Sequence, residues 1–495
     1  MPFLNWNKKL ELNRKKIFDK DLYSSLRINE MHQSLNNGVE LNPNDWNNLL
    51  IKGDNKQVME ALLNKFKGKI SLIYIDPPFF TGEDYHFKTF IGKKDKLTAK
   101  AYSDSWDGGL NAYLNFIYER LFLIRELLSE KGSVYLHLDW HVSHYIKILL
   151  DEIFGENNFR NEIIWAYPAA SVQTRMFYIR SYDTIFFYTK SDNYIFRDDP
   201  QIYMEYSDRV KSALKKDEKG VFYYRGGSHN GKKLSRKVYV KSNGIFPRDV
   251  WNDIPYIRAN TREYQGFSTQ KPERLLKRII LASSNENDIV ADFFCGTGTA
   301  LAVAEKLGRR WIGCDITPQS IHICRKRILD IKYSNDLLNW LKKYEKEFNS
   351  FKLLTLNNLE NQFHIPGELL DLSNDADSFL SIQNEPKFDV LIKIKDLTVQ
   401  ISLLSYELPY LNCLNVKLRN KISHFSDWVD YWAVDFNYQG DFMKCEWVSF
   451  RNPKKRELKL KSKSYNYKKP GKHTIKIKVI NIFGHEADKD YNIKL

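Results

Sequence analysis

Residues 76 to 79 read Asp-Pro-Pro-Phe and follow directly on the apolar run Ile70-Ser71-Leu72-Ile73-Tyr74-Ile75. Such a run ahead of a rigid turn predicts a buried parallel strand. The prolines carry no N–H and fix their φ angles, so the Asp76 carboxylate and the Pro77 carbonyl can both point outward as acceptors. Phe79 adds a flat face. Two acceptors beside an aromatic plane could hold the exocyclic amino group of a planar ring while it is alkylated. Pro-Pro after a strand can also merely end it, so these four residues alone leave both readings open.

A second signal decides between them. The stretch Asp288-Ile-Val-Ala-Asp292-Phe-Phe294-Cys-Gly296-Thr-Gly298-Thr-Ala reads as a short strand, a glycine turn and a helix whose apolar period runs through Leu301, Val303, Ala304 and Leu307. The next strand, Arg310 to Asp315, ends on an acid. Glycines after a first strand let a ligand approach the backbone, and an acid ending the next strand can take a ribose hydroxyl pair. A nicotinamide enzyme would want a third glycine, where Leu301 stands, and no Gly-Lys-Ser/Thr follows for a phosphate loop. A small nucleoside without pyrophosphate fits better, and S-adenosylmethionine is the obvious one.

Together these motifs resemble the β class of amino-group DNA methyltransferases, in which Asp-Pro-Pro-aromatic precedes Phe-x-Gly-x-Gly in the chain. The resemblance runs from about residue 45 to 330. Tyr113 to Trp165 is similar to the middle motifs of adenine methylases such as the modification subunits of type III restriction systems. The resemblance implies a Rossmann-like α/β fold with circularly permuted motif order, a target-recognition insert, and methyl transfer from S-adenosylmethionine to adenine N6 in double-stranded DNA. It implies catalytic roles for Asp76, Pro77, Pro78 and Phe79. For the cofactor it implies Asp54 at the adenine, Lys271 and Pro272 at the methionine end, Asp315 at the ribose, Phe294, Gly296 and Gly298 in the turn that allows its close approach, and Asp292 orienting that loop or meeting the methionine end through water. Phe79 replaces the commoner Tyr and still stacks; Cys295 replaces a frequent Ala. Cytosine N4 is the chemical rival, and a non-catalytic DNA-binding subunit on the same fold is the rival of another class. A restriction or helicase subunit and a second copy of the chain are the protein partners it admits.

Composition agrees with a nucleic-acid enzyme. The 495 residues carry a formal charge of +15, which favours a polyanionic partner. From Gln201 to Arg262 fourteen Lys/Arg stand against six Asp/Glu among many aromatics, a pattern suited to phosphate and base contact. The five cysteines have no Cys-x-x-Cys pair and are odd in number, which points away from zinc and disulfides and toward a reducing cytoplasm. No apolar run reaches membrane-spanning length and the amino terminus lacks a signal core, so a cytoplasmic protein without membrane contact is expected. His137, Asp139, His141 and His144 could meet at a metal only by coincidence of strand and helix faces. Amino-group methylation needs none.

Five segments follow. Residues 1–45 read as a loose helical arm and 46–335 as the methyltransferase, with strands and helices alternating as a doubly wound sheet requires. Within it 194–262 reads as the target-recognition insert, with a turn signal at Gly226 to Gly231. Residues 336–385 read as a helical connector. From 386 to 495 short alternating runs, including Phe388 to Ile394, Leu397 to Ile401, Tyr431 to Phe436, Glu457 to Lys461 and His473 to Val479, predict an all-β sandwich. Its Trp432-Ala-Val-Asp-Phe436 and its final hairpin resemble polycystin-type immunoglobulin-like domains. Ten Lys/Arg against one acid at 451–475 suit either a solvated face or a docking surface.

Overall fold

The computed structural model describes residues 4–6, 9, 26–33, 46–93, 95–167, 176, 178–229, 232–240, 244–337, 339–356, 365, 367–371 and 385–495. An 11-stranded sheet runs through it in the order Val250–Trp251, Phe159–Ala166, Tyr182–Thr189, Leu128–Leu138, Ile70–Ile75, Ile289–Asp292, Arg310–Asp315, Asn48–Lys52, Phe351–Leu356, Leu26–His32 and Met443–Lys444. The six strands from Leu128–Leu138 to Phe351–Leu356 run parallel to one another, and the strands flanking this set, Tyr182–Thr189 and Leu26–His32, are antiparallel to it. Every residue of Ile70–Ile75 is buried, as its unbroken apolar character requires in a sheet covered on both faces.

Both faces are covered by helices. Asn55–Phe66, Gly109–Leu127 and Ser143–Phe154 pack their apolar stripes into one core. Glu273–Ser283, Thr299–Lys306 and Pro318–Leu329 pack into another on the opposite side. The Rossmann-like doubly wound α/β fold expected from the sequence is therefore present. Within the basic segment, Lys215–Asp217, Gly220–His229 and Lys232–Tyr239 form a separate three-stranded antiparallel sheet. The turn signal falls on this hairpin, and residues 230–231 of it lie outside the described residues.

The C-terminal part is all-β. Lys387–Lys395, Thr398–Glu407 and Tyr465–Asn466 form one sheet; Trp447–Phe450, Val429–Asp435, Lys472–Asn481 and Glu486–Lys494 form the other. Val399, Ile401, Trp432, Val434, Ile475 and Ile477 from both sheets share one core, so alternation along each strand buries one face. Glu457 to Lys461 is not an assigned strand: it meets the first sheet through a Ser402–Lys461 bridge and a bond from Leu403 N–H to the Leu460 carbonyl at 2.8 Å.

Two expectations need correction. The arm contains no described helix. Its residues Leu26–His32 are a strand, antiparallel to Phe351–Leu356 and parallel to Met443–Lys444; 10–25 and 34–45 lie outside the described residues. Likewise the described part of the connector is led by a strand, Phe351–Leu356, whose alternating apolar side chains pair it in parallel with Asn48–Lys52. Residues 357–364 and 372–384 lie outside the described set. Both strands depend on partners far away in sequence, which local composition does not reveal.

The sandwich is not a remote appendage. Glu30 accepts from Arg325 at 2.9 Å and Lys478 at 2.8 Å, and Asp430 pairs with His322 at 2.7 Å and with Lys326. These groups are buried or nearly so, and the charges are matched, as burial demands.

Candidate active site

The Ile70–Ile75 strand has Leu128–Leu138 on one side and Ile289–Asp292 on the other. From Ile70–Ile75 the chain goes on to Leu128–Leu138 on one side, and from Ile289–Asp292 it goes on to Arg310–Asp315 on the other, so connections diverge here, which makes this a switch point, and ligands bind at the carboxyl ends of strands there. Both turns predicted from sequence leave strands at this edge. They face each other across a cavity of about 340 Å³. Ten of the twelve sequence-predicted residues line it: Asp54, Asp76, Pro77, Pro78, Phe79, Lys271, Asp292, Phe294, Gly296 and Asp315. Pro272 and Gly298 do not. Pro272 caps the helix Glu273–Ser283. A Cβ on Gly298 would lie 2.8 Å from Cys324 Sγ, and its φ is +71°, so glycine there serves the turn and its packing on Pro318–Leu329, not ligand approach.

The Asp-Pro-Pro-Phe turn is held from several sides. Phe79 N–H and Thr81 N–H donate to Asp104 Oδ2 at 3.1 and 2.8 Å, and the Thr81 hydroxyl adds a third bond at 2.9 Å. Tyr113 donates its hydroxyl to the Pro78 carbonyl at 2.8 Å. Lys271 Nζ donates to Asp76 Oδ2 at 2.7 Å, while Asp76 Oδ1 is buried with no hydrogen-bond partner. Beneath the turn, the Phe79 ring stacks at 6.1 Å on His137. His137 Nδ1 lies 2.9 Å from the Tyr74 hydroxyl and its Nε2 lies 3.0 Å from Asp183. His141 instead faces Asp139 at 2.6 Å, so the histidines of this stretch do not share a centre. Burial, reinforced by the charges of Asp76, Asp292 and Asp183, raises the Tyr74 phenol well above its ordinary range, which keeps it neutral.

Across the cavity, Gly296 has φ +49° and the only atom near its missing Cβ is the Phe294 carbonyl oxygen at 4.0 Å. A side chain there would strain the backbone and fill the cradle. Gly296 N–H donates to Asp315 Oδ2 and the Thr317 N–H and hydroxyl donate to Oδ1, each at 2.9 Å. Asp292 accepts from Phe294 N–H at 3.0 Å. Burial first, and then the nearby charges of Asp76 and Asp315, push Asp292 well above the usual carboxylate range; burial also raises Asp315 against its three hydrogen bonds. Asp54 caps the helix Asn55–Phe66 through Lys56 and Gln57 N–H at 3.0 and 3.2 Å, and pairs with Arg120 at 2.9 Å.

Sequence reasoning missed one whole wall. Asp84–Ile91 and Asp95–Ser103 form an antiparallel hairpin that leaves the catalytic turn and returns at Asp104. Tyr85 and Tyr102, stacked at 5.0 Å, present this hairpin to the cavity. Alternating Tyr85, Phe87 and Thr89, then Leu97, Ala99 and Ala101, around Gly92 was the available signal. Asp104, Trp106 and Phe116 carry no motif that marks them.

The family model for the DNA methylase family (N6_N4_Mtase) matches residues 70–326, over half of the chain. Type II methyltransferase M.EcaI of Enterobacter cloacae is 30% identical over 311 residues, 54% of this chain and 66% of that protein. DNA adenine methyltransferase YhdJ of Escherichia coli K12 is 30% identical over 279 residues, 55% of this chain and 81% of its own. The Mod subunit of the type III enzyme StyLTI from Salmonella typhimurium LT2 is 27% identical over 340 residues, and the chain spans only 52% of it. The chain belongs to the DNA methylase family.

Proposed function

We propose that the chain transfers a methyl group from S-adenosylmethionine to N6 of adenine in double-stranded DNA, as the modification component of a restriction-modification system. The carrying observation is the Asp76 carboxylate, with one oxygen tied to Lys271 and the other buried and unpartnered at a cavity shared with the glycine turn. The cavity suits the cofactor: Gly296 opens it, and Asp54, Asp76, Asp292 and Asp315 make it acidic, which favours a cationic ligand. When bound, S-adenosylmethionine supplies a methyl group already activated by its positive sulfur. Asp315 would hold the ribose, Asp54 the adenine, and Lys271 with Asp292 the methionine end.

A base inside the duplex cannot reach this cavity, so it must be flipped out. Phe79 would stack on it. Asp76 Oδ1 and the Pro77 carbonyl would accept the two N6 hydrogens and draw the nitrogen lone pair out of ring conjugation. No covalent bond to the protein is needed; the chain contributes orientation and charge placement.

Cytosine N4 is an equivalent amine. Asp in place of Ser before the prolines, and an adenine methyltransferase among the relatives, favour adenine. The 194–262 insert is the proposed reader of sequence, supported by exposed Arg225, Arg236, Lys237, Tyr224 and Tyr239 on its small sheet; phosphate contacts would set affinity and base-edge contacts the target. A restriction or helicase subunit is the proposed partner, supported by the Mod-subunit relative. The sandwich is read as polycystin-type immunoglobulin-like, on its Trp432 core and closing hairpin.

Single-molecule sequencing of DNA from a host expressing the chain tests the reading. N6-methyladenine at a recurring motif is expected. N4-methylcytosine would transfer the reading to cytosine, and unmodified DNA in a host making folded protein would overturn it.

A further inference from the structure

Among the described residues that line the cavity, Lys271 is the only Lys, Arg or His, and it faces four aspartates. Its ammonium does not stand midway among them. It is bonded to Asp76 Oδ2 at 2.7 Å, with both side chains largely buried, and it lies 5.1 Å from the Phe79 ring centroid. The backbone of Lys271 is itself anchored, since its carbonyl accepts from the Thr299 hydroxyl at 3.2 Å and Thr299 in turn accepts from Arg327 at 3.0 Å. The backbone of Lys271, just ahead of Glu273–Ser283, is thus tied to Thr299, the first residue of the helix that follows the glycine turn, and its side chain reaches across to Asp76.

The two oxygens of Asp76 are made unequal by this contact. Oδ2 is engaged, and Oδ1 is buried without a partner. A carboxylate free to rotate could offer either oxygen at either angle, whereas a charge-assisted bond to one oxygen fixes the direction of the other. Asp292 and Asp315 would otherwise repel the Asp76 charge toward solvent, because like charges gathered in a closed cavity disfavour one another.

We propose that Lys271 is the positioning residue for Asp76, clamping Oδ2 so that Oδ1 alone is presented to the exocyclic amine, in addition to any contact with the methionine end of the cofactor. The inference rests on the reading of Asp76 as the amine acceptor. Lys271 touches the acceptor and not the reacting nitrogen, so its loss should be felt in turnover with both substrates saturating. A misplacement of the acceptor by about 1 Å costs on the order of 100-fold in rate.

The test compares Lys271→Met, Lys271→Gln and Lys271→Arg with the full-length protein. Turnover is measured on methylatable DNA, and S-adenosylmethionine affinity by calorimetry without DNA. Met and Gln should each lower kcat at saturating cofactor on the order of 100-fold, over and above any loss of cofactor affinity from the methionine-end contact, and Arg should recover at least about tenfold of the kcat loss, since it restores the cation. Two variants of different polarity guard against one that fails to fold. A cofactor Kd raised more than about thirtyfold with kcat at saturation within about threefold of wild type would make Lys271 a cofactor ligand only and overturn the proposal. Asp76→Ala, assayed alongside, separates the levels: an inactive Asp76 variant beside fully active Lys271 variants sinks this inference alone, and an active Asp76 variant sinks the reading beneath it.

Discussion

Glu30 and Lys478, 448 positions apart, form a buried ion pair of 2.8 Å. Arg325 completes the group from the methylase side at 2.9 Å. Coulombic attraction from Arg325 and Lys478 holds Glu30 well below the usual carboxylate range although burial opposes it. The edge of the main sheet, its last major helix and the sandwich are therefore joined through one carboxylate.

Removal of residues 386–495 should accordingly yield an aggregating protein, not a functional core. Truncation would strip Glu30 of one cation, expose the face of Pro318–Leu329 that carries His322 and Lys326, and uncover apolar residues of the Asp84–Ser103 hairpin. A milder probe is Lys478→Met, which leaves the sandwich in place and should destabilise by about 3 to 5 kcal/mol, the cost of breaking a buried pair. Urea unfolding measures it, and a change below about 1 kcal/mol would show the network to be dispensable.

Asp76→Ala should retain cofactor binding and lose nearly all methyl transfer. On the proposed reading its unpartnered oxygen acts on the amine and not on the cofactor, so the loss falls on turnover. Activity within about tenfold of wild type in a filter assay would contradict the assignment.

Asp315→Ala should weaken S-adenosylmethionine binding by roughly 1.5 to 3 kcal/mol, the range for hydrogen bonds to a charged group. The substitution also frees Gly296 N–H and the Thr317 donors, so the turn would loosen as well as lose its acceptor. Calorimetry decides; unchanged affinity would move the ribose site elsewhere.

Stability should decline between pH 5 and 8 through Glu263. Burial first, and then the charge of Glu273, raise its carboxyl to about 7 from an ordinary value of 4.5. The folded state therefore binds more protons than the unfolded one across that interval. A raised folded value means that the contribution is fully present below 4.5 and lost as pH rises through about 7, following proton linkage. Glu263→Gln should match wild type near pH 5 and exceed it at pH 8 by about 1 to 2 kcal/mol, allowing for partial solvent screening. Parallel urea titrations with no divergence would remove Glu263 from the account.

Much of the site was legible because its chemistry is local. Asp-Pro-Pro-Phe and the glycine turn each declare a strand end, and the doubly wound fold places strand ends side by side, so ten predicted residues reach one cavity. What escaped was non-local. Leu26–His32 reads as part of a polar arm until Phe351–Leu356 pairs with it, and the contact of Lys271 with Asp76 at 2.7 Å has no sign in the sequence, where 195 positions separate them. Gly298 misled for another reason: a glycine required by φ and packing looks in sequence like one required by a ligand. Asp104 is an ordinary acid in the chain, and only the return of the hairpin makes it the anchor of Phe79 and Thr81.

The pairing of Leu26–His32 with Met443–Lys444 also sets a timetable for biosynthesis. Ribosomes add about 5 to 20 residues per second, so the early strand waits roughly 20 to 80 s for the 412 positions between His32 and Lys444 to be made. Through that interval the nascent sheet has an open edge, and contacts of such separation form slowly. Chains interrupted before the sandwich would carry the Asp-Pro-Pro-Phe and glycine turns yet lack the strand that closes the sheet, leaving them prey to chaperones and proteases. Methyl transfer would then come only from chains translated at least as far as the sandwich, with quality control built into the order of synthesis.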